Sequence, residues 1–183
     1  MELKESFAFF KELHKRQRYG DGEPYWPHLL RVGLLVKNIL EINNEGSKKD
    51  RITITIAAFG HDSLEDTSVK VDLLKNKFGD EITEIIINLT NKEGDAHTSK
   101  YINQVCSSDE ATRLIKLADI CVNLMRIMHS KEDKNFLRNK ILPIFEPMHK
   151  RIIKTKFRKY SKSSKQLIEL SGLLMKIVRD ILR

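Results

Sequence analysis

The amino-acid sequence predicts an all-α protein, and three observations carry that reading. Apolar residues recur at steps of three and four along most of the chain. Its 183 residues include only 8 glycines and 4 prolines, too few for a sandwich of short strands and turns. The one stretch that alternates apolar and polar residues, Ile52-Thr53-Ile54-Thr55-Ile56, has no second such stretch to pair with. A chain of this length can bury a sizeable core as one domain. The expected organisation is a domain over residues 1–150 and a basic amphipathic helical extension over 151–183, packed on that domain or extending from it.

The elements follow in order. Phe7, Phe10 and Leu13 share a face over residues 3–15, the first helix. Tyr19-Gly20-Asp21-Gly22-Glu23-Pro24 breaks it. Pro27 suits the first turn of a second helix, which runs to about Ile42 with Leu29, Val32, Leu35, Val36, Ile39 and Leu40 on one side. Asn43 to Ser47 is a turn. Residues 50–62 read as a buried helix despite the Ile/Thr alternation. A short helix from Val71 ends at Gly79, and another covers 80–90 through Ile82, Ile85, Ile86 and Leu89. Asn91 to Ala96 is a polar loop. Helices are expected at about 97–106, 109–128 and 133–158. A last one runs over about 163–182, where Leu167, Leu170, Leu174, Ile177 and Ile181 keep helical spacing. The polar Ser161-Lys162-Ser163-Ser164 is the best candidate for a break.

Composition narrows the class. An apolar fraction of 40% and a charged fraction of 32% fit a water-soluble globular protein. No segment approaches the roughly 20 apolar residues of a membrane span. The start, Met1-Glu2-Leu3-Lys4-Glu5, lacks the apolar run of a secretion leader, so a cytoplasmic protein is expected, with Cys106 and Cys121 as reduced thiols. The net charge of +8 is uneven: residues 1–148 carry 22 Lys/Arg against 23 Asp/Glu, and residues 149–183 carry 11 against 2. Four readings of that basic stretch stay open. It is a solvated face, a basic rim that attracts a polyanionic nucleotide, a Leu/Ile stripe for assembly into a homo-oligomer, or a contact for nucleic acid or an anionic membrane surface. The last has no interleaved aromatics or nucleic-acid motif behind it, so nucleic acid is not an expected partner.

The segment Ala57-Ala58-Phe59-Gly60-His61-Asp62-Ser63-Leu64-Glu65-Asp66-Thr67 carries the most chemistry. His61 and Asp62 can both bind one divalent metal, and Glu65 and Asp66 follow each of them by four residues, the spacing of one helix face. His28 and Asp119 are the other candidate ligands. Asp119 sits in the otherwise apolar Leu117-Ala118-Asp119-Ile120. Alone, His28 reads as structural, Asp119 as a hydrogen-bonded core residue and Glu65-Asp66 as a helix cap. Together they make a mixed N/O set that suits Mn²⁺, Fe²⁺ or Zn²⁺ better than Ca²⁺.

Four stretches, within about residues 5–150, resemble the HD-domain metal phosphohydrolases, and more narrowly the hydrolase domain of the RelA/SpoT family with its free-standing small alarmone hydrolases of metazoan type. They are His14-Lys15-Arg16-Gln17-Arg18, Gly22-Glu23-Pro24-Tyr25-Trp26-Pro27-His28, Ala57 to Thr67, and Lys116-Leu117-Ala118-Asp119 with Asn123-Leu124. The resemblance implies an HD-type helical bundle with a metal site between helices. It also implies hydrolysis of the 3′-pyrophosphate of guanosine tetra- and pentaphosphate, (p)ppGpp, usually with Mn²⁺. On that model His28, His61, Asp62 and Asp119 hold the metal, and Glu65 and Asp66 manage the attacking water and the departing oxygen. Arg18 and Asn123 meet the nucleotide, with Thr67 and Lys116 near the pocket. The chain departs from the family pattern at Leu29, often Pro there, at Ile120, often Lys or Arg, and at Met125, often Arg. Those departures keep other substrates in play: the 2′-phosphate of NADPH, a dNTP or a nucleoside monophosphate. A non-catalytic nucleotide sensor is a further alternative.

Overall fold

A computed structural model describes residues 2–91 and 99–183, and the regular elements among them are all helical. They are α1 (Leu3–Leu13), α2 (Trp26–Ile42), α3 (Lys48–Phe59), α4 (Ser63–Asp66), α5 (Val71–Phe78), α6 (Asp80–Leu89), α7 (Ser99–Ser107), α8 (Glu110–Ile127), α9 (Lys134–Phe136), α10 (Leu142–Ile152) and α11 (Ser161–Ile181). Extended pairing among the described residues is limited to an isolated bridge between Arg18 and Pro24. Most of the expected loop from Asn91 to Ala96, and the first two residues of the helix expected at 97–106, lie outside the described residues.

Helix α8 is the axis. It is buried nearly all round, covering Leu114, Ile115, Leu117, Ala118, Ile120, Cys121, Val122, Leu124 and Ile127, and such a helix belongs inside a bundle. Helices α2, α3, α6, α7, α10 and α11 pack on it, and α2 and α3 pack extensively on each other. The Ile/Thr alternation falls inside α3, which is packed by α1, α2, α6 and α8, so its threonines are buried with its isoleucines. Thr55 satisfies its hydroxyl by donating to the Arg51 carbonyl at 2.6 Å. A reciprocal cap between Ser47 and Asp50 sets where α3 begins.

Two close approaches need glycine. A Cβ on Gly33 would lie 2.2 Å from the Phe59 ring, so α2 meets α3 at a bare backbone. A Cβ on Gly60 would lie 2.4 Å from the Phe10 ring and 2.8 Å from Ile86 Cδ1.

Three boundaries differ from expectation. Helix α3 ends at Phe59 and not at 62, because Gly60 takes a cap conformation whose N–H closes the last turn. The helix expected over 133–158 is composite. It starts as α9, widens into a π-helical turn over Leu137–Ile141, and resumes as α10, which ends at Ile152. Pro143 and Pro147 each remove a backbone donor from that run, and Thr155 Oγ1 donates to the Ile152 carbonyl beyond its end. The polar Ser161 to Ser164 begins α11; the break falls just before it.

The last helix is pinned to the body by carboxylates. Glu45 accepts from the backbone N–H groups of Lys162 and Ser163, at 2.8 and 2.9 Å, and so caps α11 from another part of the chain. Glu110 does the same for the N–H groups of Arg158, Lys159 and Tyr160. Helix α11 then buries Leu167, Leu174, Met175 and Val178 and leaves Leu173, Ile177 and Ile181 exposed. No helix among the described residues is long and apolar enough to cross a membrane.

Two outcomes follow from this packing. Gly60→Ala should lower unfolding stability in urea by about 1–3 kcal/mol, the usual cost of overpacking. Glu45 is the second case. Lost hydration raises its carboxyl, but hydrogen bonds from Ser163, Lys162 and Ser161 outweigh this and hold it below its ordinary 4.5. Its contribution is therefore present above pH 4.5 and lost as pH falls through the lowered folded value. Glu45→Gln should cost roughly 1 kcal/mol at neutral pH, and the gap to wild type should close in acid denaturation below that range.

Candidate metal centre

Each candidate ligand is placed by a local feature of the backbone. Residues 17–25 double back on themselves, with Tyr19 N–H donating to the Glu23 carbonyl at 2.9 Å and Tyr25 N–H to the Gln17 carbonyl at 3.1 Å. This delivers the chain to α2 with His28 in its first turn. His61 and Asp62 occupy the corner between α3 and α4, after the Gly60 cap, and Asp62 opens α4. Ser63 Oγ tightens the corner by donating to the Gly60 carbonyl at 2.6 Å. Asp119 comes from the middle of α8.

The four side chains converge. His28 Nε2 lies 3.2 Å from His61 Nε2, 3.1 Å from Asp119 Oδ1 and 3.8 Å from Asp62 Oδ2. His61 Nε2 lies 2.8 Å from Asp62 Oδ2 and 3.6 Å from Asp119 Oδ1. His28, His61 and Asp62 satisfy the proximity expected of groups that share one ion. The donor chemistry fits a divalent cation. His61 Nδ1 donates to the Ala58 carbonyl at 2.8 Å, which leaves the Nε2 lone pair facing the cluster. Two imidazole nitrogens and two carboxylate oxygens with bonds of about 2.0–2.2 Å to one ion would sit about this far apart.

The surrounding charges are balanced around these groups. Burial would raise the Asp119 carboxyl, but the Lys116 ammonium, then His28 and His61, hold it well below the usual range. Lys116 Nζ donates to Asp119 Oδ2 at 2.9 Å, and Asn123 Nδ2 donates to Oδ1 at 2.6 Å. The Tyr25 hydroxyl donates to Asp62 Oδ2. Burial opposes a charge on His61, but Asp62 and Asp119 overcome it and raise the imidazole to about 10, so a proton and a cation compete for this cluster.

Glu65 and Asp66 follow Asp62 on α4, and both residues are exposed. Lost hydration, and the charge of Asp62, hold both carboxyls above their ordinary range. Glu65 Oε2 accepts from the Asn91 N–H at 2.9 Å, and Asp66 Oδ2 from Gln17 Nε2 at 2.8 Å. Thr67 acts locally, donating to the Ser63 carbonyl and accepting from the Val69 N–H. Arg18 is exposed, with its guanidinium on the carbonyls of Lys15 and Gln17. Asn123, expected to meet the nucleotide, and Lys116, expected near the pocket, each donate to Asp119.

Sequence reasoning assigned no role to Tyr25, Tyr19 or Arg126. Tyr25 had one signal, its place three residues before His28. The Arg126 guanidinium lies 3.6 Å over the Tyr19 ring and is gripped by Asp21 Oδ2 at 2.9 Å and Glu132 Oε2 at 3.2 Å. Tyr19, Asp21 and Arg126 wall a cleft of about 630 Å³, with Arg31, Leu34, Leu35, Val122 and Met125 among its lining. Tyr19 connects the cleft to the centre, its ring packing on Tyr25 and that of Tyr25 on His28. The Tyr19 hydroxyl is buried with no protein partner.

The helical bundle gathers His28, His61 and Asp62 into a group that could hold a divalent metal, with Asp119 beside both histidines. The chain belongs to the HD-domain family, whose model matches residues 6–152. It is 27% identical over 158 residues to the guanosine-3′,5′-bis(diphosphate) 3′-pyrophosphohydrolase of Aquifex aeolicus, covering 82% of this chain and 21% of that protein. It is 26% identical over 156 residues to the GTP pyrophosphokinase rsh of Brucella melitensis, covering 80% and 20%. The chain thus spans about a fifth of the length of these curated relatives. Its fold is similar to that of a solved metazoan ortholog of SpoT that hydrolyses ppGpp, with a TM-score of 0.68 at 19% identity over 93% of this chain and 96% of the other.

The bonds to Asp119 make a distinguishing outcome available. If Asn123 orients that carboxylate, Asn123→Ala should weaken Mn²⁺ binding by about 10- to 100-fold in calorimetric titration, the usual effect of losing such a partner. A residue that only touched the nucleotide would leave metal affinity unchanged.

Proposed function

We propose that the chain is a metal-dependent phosphohydrolase that removes the 3′-pyrophosphate of (p)ppGpp, yielding GDP or GTP and pyrophosphate. The observation that carries this reading is the convergence of His28, His61, Asp62 and Asp119, with Glu65 and Asp66 following on α4 within reach of the charge of Asp62. The similarity to a named pyrophosphohydrolase over most of the chain supplies the substrate class.

His28, His61, Asp62 and Asp119 would hold the ion, with Mn²⁺ as the proposed metal. When bound, it supplies Lewis acidity toward phosphate oxygens and makes water a better proton donor. Lys116, Asn123 and Tyr25 keep the two carboxylate ligands in place. Water adds to the phosphorus attached to the ribose 3′ oxygen, the bond between them breaks, and that oxygen leaves as a hydroxyl by taking up a proton. Glu65 and Asp66 are the groups placed to remove one proton and return the other. Their raised pKa values suit transfer in both directions. The adjoining cleft sets Tyr19 and apolar Leu34, Leu35, Val122 and Met125 beside Arg31 and Lys131, a lining that suits a base carrying phosphates.

One observation favours a second nucleotide as substrate. Met125 stands where the family often has Arg, and the neighbouring Arg126 is paired with Asp21 and Glu132, so the guanidinium expected for (p)ppGpp is not offered there. NADPH, a dNTP or a nucleoside monophosphate are the substrates to compare.

Incubation of the Mn²⁺-loaded protein with ppGpp should release pyrophosphate and GDP, as read by ion-exchange chromatography. A chelator and the paired His61→Ala/Asp62→Ala substitutions should each abolish release. Intact ppGpp after loading with Mn²⁺ would refute the substrate assignment, and turnover of another nucleotide in the same panel would replace it.

A further inference from the structure

Asp66 is a solvent-facing carboxylate at the end of a four-residue helix, a position from which a side chain normally samples several rotamers. Here it is held by a relay that starts in the core. His14, which follows α1, is 1% exposed, and its ring stacks on Tyr25. Its Nδ1 faces Gln17 Oε1, an atom that can only accept, so Nδ1 carries the proton. The Gln17 amide nitrogen therefore points the other way and donates to Asp66 Oδ2 at 2.8 Å. His14 Nε2 is buried without a partner. A bare lone pair is the less costly group to leave there, which agrees with an Nδ1–H tautomer.

The amide is the weak point of such a relay. Glutamine can flip its oxygen and nitrogen with almost no change of shape. Flipped, it would turn an oxygen toward the Asp66 carboxylate and repel it. The Asp66 carboxylate and the His14 N–H select the same orientation, and of the two the His14 ring is the one fixed in the core. We propose that His14 and Gln17 are positioning residues for Asp66: the buried imidazole sets which way the Gln17 amide faces, and the amide sets where the carboxylate points. The kinetic consequence rests on the hydrolase reading above; the structural one does not.

The test uses Gln17→Leu, His14→Leu, the two combined, and His14→Gln, which can still donate an N–H. Crystal structures of each read the Asp66 side chain, and steady-state hydrolysis of ppGpp with Mn²⁺ reads kcat and KM. In Gln17→Leu and His14→Leu the Asp66 carboxylate should leave its present rotamer and kcat should fall about 10- to 100-fold with KM near wild type. The combined variant should be no worse than Gln17→Leu alone, since His14 acts through Gln17. His14→Gln should recover most of the loss. Asp66 unmoved in either single variant, or losses that multiply in the combined one, would overturn the proposal. If wild type turns over no nucleotide, the hydrolase reading fails alone, and the crystal structures still decide the positioning of Asp66.

Discussion

A carboxylate in the middle of an apolar helix must be neutralised where it stands, because taking an unpaired charge out of water costs several kcal/mol. Asp119 imposes that requirement on the bundle. Helix α8 is packed by six other helices, and at Asp119 the side chain is buried at 4% exposure. Its compensation comes from three places: Lys116 and Asn123 on its own helix, His28 from α2, and His61 from the corner after α3. The helix that organises the core thereby also fixes one wall of the centre.

The opposite wall depends on where α3 stops. Had the helix continued through residue 62, His61 and Asp62 would point about 100° apart around it. Gly60 ends it early, at a point so crowded by Phe10 and Ile86 that no larger side chain fits. The corner lets both side chains reach the same point. The tight contact of α2 with α3 at Gly33 brings His28 within reach of that corner. Metal chemistry is read here from backbone termination as much as from ligand identity.

The outer groups form a graded series. Tyr25 bonds the Asp62 carboxylate, Gln17 bonds the Asp66 carboxylate, and His14 lies behind both, stacked on one and bonded to the other. The segment from His14 to His28 thus contributes more than its one candidate ligand. Its doubled-back loop is a small polar scaffold that sets the directions of the acidic groups.

Much of the fold was legible in the sequence, because helical spacing of apolar residues is a local property. The run Leu29 to Leu40 could only bury its stripe as a helix, and α8 was visible as a helix otherwise apolar on the side of Asp119. His28, His61, Asp62 and Asp119 could be named as candidates because buried ionisable groups in apolar helices are costly enough to be informative. The composite character of α9 and α10 was less legible. Pro143 and Pro147 reduce helical bonding, but whether a helix breaks or widens into a π turn depends on what packs against it. The cap on α11 was invisible for the same reason, since Glu45 lies more than a hundred residues from the N–H groups it accepts. Arg18 and Tyr19 are adjacent in sequence; only the paired loop decides that the tyrosine lines the cleft and the arginine faces solvent. Residue type and spacing, by themselves, determined that the chain is helical and which groups are chemically expensive to bury. The tertiary structure decided which of those groups meet, because distances between helices and the rotamers at their ends are set by packing and not by sequence separation.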